Sequence, residues 1–501
     1  MSPLSREGIE SLLVQTARAG SMEAVNQAPG SNTGPSRHAR QRKRWERMAN
    51  ARRGGVKVRA WTLSLLLLPA QGCIFSERSY PYDPHMRVEI DPPAGAVPRR
   101  LTARQWLSQT GPELARLLPA HPKTAMLTDQ LVTPDGRPAN VVAHFGTKTG
   151  QLESIFANFL GLAYSAQAIM PRSPAKPGPP WEGFEDVWIP IREDLQLAGR
   201  LAWARDAHGQ VTDADCIVII PGIRGDNNIL RVRDLAQALR RSGLHVLSLE
   251  IRGAGQTDRR FPRYEFTWGV FETDDLLVVA DWLQARPHVR RTGLVGYSWG
   301  ANQAILVAWA EGRTDDEGVP PRLRRFLTPA PRGPRRFQAG IIAFSPVLRF
   351  EDLMDKLEVE QSAWLHPVLA GLQATVRERM IEKHYPNPCG SVRELLKHLG
   401  IGYDGEVADA LEYVRLLPYK DLPAHDRLNG VRVPVLIVHA ADDMLAPAQD
   451  VADLLATVQN PDVAAIVLPS GGHIGFGPYA PAWYYSLILN YFDPSGGAAG
   501  R

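Results

Sequence analysis

Cysteine is scarce in this chain: Cys73, Cys216 and Cys389 are the only three among 501 residues. So few thiols cannot build a disulfide framework. A Cys216–Cys389 bridge stays open in an oxidising compartment, although nothing in the spacing argues for it. Cys216 opens an apolar strand and reads as a buried thiol. Cys and His never cluster with zinc-type spacing, and neither an H-E-x-x-H nor a Walker P-loop occurs, so no metal or other cofactor is expected. Long apolar runs are missing too. The stretch Gln151 to Met170 is largely apolar but carries Glu153, Asn158 and Gln167. It reads as a helix packed on the main domain, with a membrane-facing or substrate-facing helix as the alternative. An overall excess of one charge is also lacking, because the formal +4 is local. Residues 1–72 carry 12 Lys/Arg against 4 Asp/Glu, which leaves 45 against 49 for the rest.

A mildly acidic body therefore follows a basic leader. Arg52, Arg53, Lys57 and Arg59 precede the short apolar run Trp61 to Leu68, and Pro69-Ala70-Gln71-Gly72-Cys73 follows. A positive segment, a short apolar segment and small residues before a cleavage point describe a secretory signal, too short to span a bilayer. Ala-Gln-Gly before Cys73 resembles the lipobox of bacterial lipoproteins, with Ala70 where leucine is usual. Cys73 is then the lipidation site and the protein an exported, lipid-anchored envelope protein, with an ordinary cleaved signal and a periplasmic or secreted product as the alternative. Met48 would give a leader of normal length. A nucleic-acid arm over Arg37 to Arg59 is the competing reading of the same charge, but no DNA-binding motif supports it elsewhere, and no nucleic-acid partner is expected.

Residues 1–73 thus form the leader and residues 74–180 a Pro-rich tether with a helical extension. Two short helices, separated by Gly111-Pro112, are predicted between Leu101 and Leu118. Strands follow at Val187–Ile191, Leu197–Trp203, Cys216–Ile220, His245–Leu249, before Ser298, and at Gly340–Phe344, Val435–Val438 and Ala464–Leu468. Helical patterns over Leu230–Ser242, Phe271–Gln284, Ala301–Ala310 and Ala448–Val458 separate most of them. Alternating β and α elements imply a mostly parallel, doubly wound sheet with an antiparallel start. The core divides into residues 181–346 and 429–495. An Arg/Pro-rich excursion over 311–336 interrupts the first part, and a helical insertion over 347–428 lies between the sixth and seventh strands, a common position for a lid over an active site.

The most informative motif is Gly296-Tyr297-Ser298-Trp299-Gly300. A G-x-S-x-G between an apolar strand and a helix is a nucleophile elbow, in which a strained turn projects the serine hydroxyl above the sheet edge. A serine needs a base, and the base needs an orienting acid. Candidates stand on loops that follow strand C-termini: His439-Ala440-Ala441-Asp442-Asp443 and Ser470-Gly471-Gly472-His473. His473 follows the last strand. Asp443 is preferred to Asp442 by its D-x-x-x-P spacing, with Glu351 or Asp352 after the sixth strand as further alternatives. His439, at a strand end, reads as structural, and Arg252 and Asp258 as turn-shaping. Trp268, Phe271 and Trp364 either line an acyl pocket or belong to the core.

Over residues 184–493 these motifs resemble the α/β-hydrolase superfamily. Pro221-Gly222-Ile223-Arg224-Gly225 stands where those enzymes carry an oxyanion loop, with proline in place of histidine. Arg252-Gly253-Ala254-Gly255-Gln256-Thr257 is similar to their R-G-x-G-x-S stretch, with threonine in place of serine. G-Y-S-W-G-A-N and G-G-H-I-G-F resemble the subgroup of plant embryogenesis-associated and YheT-type hydrolases. The resemblance implies Ser298 as nucleophile, His473 as base, Asp443 as orienting acid, and the Ile223 and Trp299 amides as the oxyanion hole. It implies hydrolysis of a small-molecule or lipid-like carboxylic ester or thioester. A peptidase or acyltransferase on the same triad is the first rival, and a non-catalytic binding lipoprotein the second.

Overall fold

The computed structural model describes residues 81–84, 101–118, 178–313, 321–326, 335–360, 367–398, 406–468 and 470–492. Eight of its segments pair into one sheet: β1 (Glu185–Arg192), β2 (Leu195–Ala202), β3 (Ala214–Ile220), β4 (His245–Glu250), β5 (Val289–Tyr297), β6 (Gly340–Phe344), β7 (Val435–Ala440) and β8 (Val463–Leu468). Their order is β1-β2-β4-β3-β5-β6-β7-β8. β2 runs antiparallel to both β1 and β4, and every other pair is parallel. This is the expected mostly parallel sheet with an antiparallel start.

The strand sequences explain the layering. Side chains alternate across a strand with period two. Val218, Leu294, Ile341, Ile437 and Ala465 therefore enter one core, and their neighbours Ile219, Val295, Ile342, Val438 and Ile466 enter the other. Both sets are fully buried, as parallel strands covered on two faces must be. The described helices are α1 (Ala103–Ala115), α2 (Leu230–Arg241), α3 (Gly255–Arg260), α4 (Glu272–Gln284), α5 (Trp299–Gly312), α6 (Phe350–Glu358), α7 (Pro367–Glu382), α8 (Val392–His398), α9 (Glu406–Val414), α10 (Ala448–Thr457), α11 (Phe476–Tyr479) and α12 (Pro481–Phe492). Residues of α4, α5 and α10 fill the first core, and residues of α1, α2 and α12 fill the second.

The chain leaves β3 for β4 on one side, while β5 lies against the other side of β3. Loops after β3 and β5 consequently part at their C-terminal ends. Such a switch point is where open α/β sheets leave room for a ligand, and Ser298 stands at it. Helices α6 to α9 all lie between β6 and β7 in the chain.

One expectation needs correction. Between Leu101 and Leu118 there is one helix, α1 (Ala103–Ala115), with Pro112 inside it. Proline removes one helical hydrogen bond, but tertiary contacts outweigh that loss. Thr102 and Gln105 form a reciprocal cap at the N-terminus. Arg104 donates to the carbonyls of Val463 (3.1 Å) and Val458 (2.9 Å), and the Trp106 ring meets Tyr491 edge-on. The bridge left open between Cys216 and Cys389 is not formed, and both are free thiols. Cys216 is buried in β3 as expected, and burial raises its pKa. In the Pro-rich segment before α1, Tyr82 is buried against Tyr485. The leader with Cys73, the stretch Gln151 to Met170 and Trp364 lie outside the described residues, as does most of the 311–336 excursion apart from a turn of 3-10 helix at Pro321–Phe326. Among the described residues no helix is long and apolar enough to cross a membrane.

Candidate active site

β5 ends at Tyr297 and α5 begins at Trp299, so Ser298 alone makes the turn, with φ 53° and ψ −118°. A left-handed φ is costly for a non-glycine residue, and its neighbours hold it there. The Ser298 amide donates to the Phe344 carbonyl of β6 at 2.8 Å. A Cβ on Gly296 would lie 2.3 Å from the Gly300 carbonyl oxygen, and one on Gly300 would lie 2.4 Å from that of Pro221. Both glycines of the motif are therefore required by backbone packing.

From this turn the Ser298 hydroxyl meets His473 Nε2 at 2.8 Å, and His473 Nδ1 meets Asp443 Oδ2 at 2.8 Å. A carboxylate can only accept, so Nδ1 carries the proton and Nε2 is left to accept from the serine. The second Asp443 oxygen accepts from the Leu445 (2.8 Å) and Ala446 (3.1 Å) amides. Burial pushes the Asp443 carboxyl up, but the charge and hydrogen bond of His473 outweigh it and hold the group below its ordinary value. Asp443 and His473 are buried and Ser298 is half-buried. Such a chain can draw a proton from the hydroxyl as it attacks an electrophilic carbon.

Of the alternative acids, Asp352 is exposed, and Asp442 and Glu351 are engaged elsewhere. Asp442 accepts from Ser470 Oγ (2.7 Å) and the Gly472 amide (2.7 Å), fixing the loop that carries His473. Burial, opposed by these bonds, raises its carboxyl to about 6. Glu351 forms a buried two-pronged pair with Arg415 (2.7 and 2.9 Å). His439 donates from Nε2 to the Ala446 carbonyl at 2.8 Å, and burial lowers its pKa. It is therefore a neutral prop beneath the Asp443 loop. Arg252 pairs with Asp275 at 2.6 and 2.7 Å, so neither it nor Asp258, which binds Arg379 and Lys383, faces Ser298.

Gly222 runs directly over the nucleophile: a Cβ there would lie 3.0 Å from Ser298 Cβ. Ile223 follows it and lines the same cavity as Ser298. Trp299 opens α5, where an amide has no helical acceptor and the helix dipole is positive. The cavity beside Ser298 is small, about 40 Å³, and apolar. Trp268, Trp299, Phe350 and Leu445 line it, together with Leu357, Leu372, Val376 and Val392 from the helices inserted after β6. Trp268 thus belongs to the pocket, whereas Phe271 packs under the Arg252 guanidinium. Among the described residues no group of three or more His, Cys, Asp or Glu is placed to hold a metal ion.

Sequence reasoning includes Asn302 in the G-Y-S-W-G-A-N motif but assigns it no role. Its side-chain amide exchanges two hydrogen bonds with Val347 (2.7 and 2.8 Å), fixing one wall of the cavity against α5. The same reasoning missed Phe350 as a pocket wall. Asn302 bonds a residue 45 positions away, and the Phe350 ring meets Trp268 and Trp299 from distant elements, so no local pattern reveals either role.

A family model described as the alpha/beta hydrolase family matches residues 217–486, more than half of the chain. Among curated proteins, phospholipase ABHD3 of Mus musculus is 40% identical over 58 residues and that of Homo sapiens 38% over 58 residues. Each match covers 12% of this chain and spans only 14% of the relative's length. Among solved structures, the Pyrococcus furiosus esterase Pf2001 is 15% identical with a TM-score of 0.38, covering 64% of this chain and 99% of its own. Est1E from Butyrivibrio proteoclasticus is 14% identical with a TM-score of 0.33, covering 62% of this chain and 96% of its own.

Proposed function

This chain belongs to the alpha/beta hydrolase family, and from that premise we propose that it is a serine hydrolase that cleaves carboxylic esters or thioesters with an apolar acyl group. The unbroken hydrogen-bonded series from Asp443 through His473 to Ser298 carries this reading. Ser298 Oγ attacks the carbonyl carbon while His473 Nε2 takes its proton. Negative charge gathers on the carbonyl oxygen, which accepts from the Trp299 and Ile223 amides. The tetrahedral adduct collapses, His473 returns the proton to the departing alcohol or thiol, and the acyl group remains on Ser298. Water then attacks the acyl-enzyme as His473 takes a proton from it; the second adduct collapses, His473 returns that proton to Ser298 Oγ, and the carboxylic acid leaves. Asp443 holds the imidazole in one tautomer throughout and stabilises its charged form.

The apolar cavity supports an acyl group without charge. The short likeness to phospholipases is in line with a lipophilic ester, as is a lipid anchor at Cys73, which would hold the enzyme at a membrane as an exported lipoprotein. Membership of the YheT and embryogenesis-associated subgroup is part of this proposal, supported by the resemblance of G-Y-S-W-G-A-N and G-G-H-I-G-F to its motifs. Hydrolysis of p-nitrophenyl butyrate and of the matching anilide by wild type and Ser298→Ala tests the chemistry. Ester turnover lost in the variant is expected. Anilide cleavage at a comparable rate would point to a peptidase instead.

A further inference from the structure

Arg224 follows Ile223 with φ 52°, left-handed for a non-glycine residue. The Gly225 amide donates to the Gly222 carbonyl at 3.0 Å, so Ile223 and Arg224 are the two corners of a turn. A left-handed second corner ordinarily calls for glycine. What holds arginine there is its side chain. The guanidinium donates to both Glu382 oxygens (2.9 and 3.2 Å) and reaches the Thr375 carbonyl at 3.4 Å, all on α7. That helix is itself fastened to the core. Its buried Arg379 binds Asp258 (2.7 Å) and Glu265 (2.7 and 2.9 Å), and Lys383 just beyond it binds Asp258 (2.8 Å). From the same helix, Leu372 and Val376 line the cavity beside Ser298.

We propose that Arg224 is a positioning residue for the oxyanion site: by anchoring the Gly222–Gly225 turn to α7, it aims the Ile223 amide at the reacting carbonyl. The inserted helix then governs both the shape of the acyl cavity and the alignment of the oxyanion donor. The inference rests on the assignment of Ser298 and Ile223 above. It goes beyond that assignment by making a side chain that touches neither substrate nor triad a determinant of turnover.

Arg224→Gly separates positioning from stability, because glycine accepts the left-handed corner without strain yet cannot reach Glu382. Using p-nitrophenyl butyrate, the expected result is a melting temperature at or above that of wild type, a kcat lower by about tenfold or more, and a KM within about twofold. Removing an oxyanion donor outright costs roughly 10²–10³ in kcat, and a misaimed one forfeits part of that. Glu382→Gln should lower kcat in the same direction and add little to Arg224→Gly. Unchanged kcat in folded Arg224→Gly, with turnover still abolished in Ser298→Ala, would overturn the proposal and leave the nucleophile standing. A raised KM with unchanged kcat would overturn it as well, by making Arg224 a binding residue. Turnover that survives in Ser298→Ala would instead sink the underlying assignment and the proposal with it.

Discussion

Replacing Phe350 by alanine should move the enzyme's preference toward longer acyl chains. The Phe350 ring stacks on Trp268 with 5.0 Å between centroids and lies 4.1 Å from the Trp299 centroid. It closes a cavity of only about 40 Å³, room for a short acyl group. Each methylene buried contributes about 0.8 kcal/mol, close to fourfold in kcat/KM. If the space vacated by the ring accepts three more methylenes, the gain is roughly 2.4 kcal/mol, or about 60-fold. The assay is kcat/KM over p-nitrophenyl esters from acetate to decanoate. The octanoate-to-butyrate ratio should rise by a factor approaching that figure. Emptying the site costs about 3–5 kcal/mol of stability, so Phe350→Leu belongs beside it, with a smaller shift in the same direction. A folded variant with an unchanged chain-length profile would refute the assignment of this cavity to the acyl group.

Asp443→Asn should lower kcat by about 10⁴, the scale expected when the imidazole loses its proper tautomer. Asp442→Asn, which perturbs only the loop before His473, should cost less than about tenfold, and the reverse ranking would exchange the two roles. Glu250 accepts from the Asn227 (3.0 Å) and Gln256 (2.6 Å) amides, and burial, partly offset by those bonds, raises its carboxyl from 4.5 to about 7. The native state keeps a proton that the unfolded chain releases, so this contribution is full below pH 4.5 and falls by about 3 kcal/mol as pH rises through 7. Melting temperatures from pH 5 to 8 should therefore slope less in Glu250→Gln, and an equal slope would contradict the assignment. Mass spectrometry of the mature N-terminus should find a diacylglyceryl-modified Cys73; an unmodified residue there would remove the anchor.

The nucleophile turn was legible because its requirements are local. Gly296, Ser298 and Gly300 lie within five residues, and strand and helix periods flank them. The mostly parallel sheet with its antiparallel start followed from the alternation of β and α segments, each long enough to show its own period. Adjacent acids were harder to separate. Asp442 and Asp443 differ by one position, yet backbone direction sends one carboxylate to Gly472 and the other to His473. α1 was misread because Pro112 speaks only for local preference, whereas Arg104 and Trp106 hold that helix through contacts with β8 and α12. Arg224 and Glu382 stand 158 residues apart. Nothing in a linear pattern joins them, so a contact of that kind emerges only once the chain is folded.

The most direct test is to label the protein with a fluorophosphonate, digest it and locate the adduct by mass spectrometry. A single phosphonylated peptide carrying the modification on Ser298, with labelling slowed by orders of magnitude in His473→Ala, is the predicted result. A folded protein that stays unlabelled, or one labelled at another residue, would contradict the assignment of Ser298 as the nucleophile.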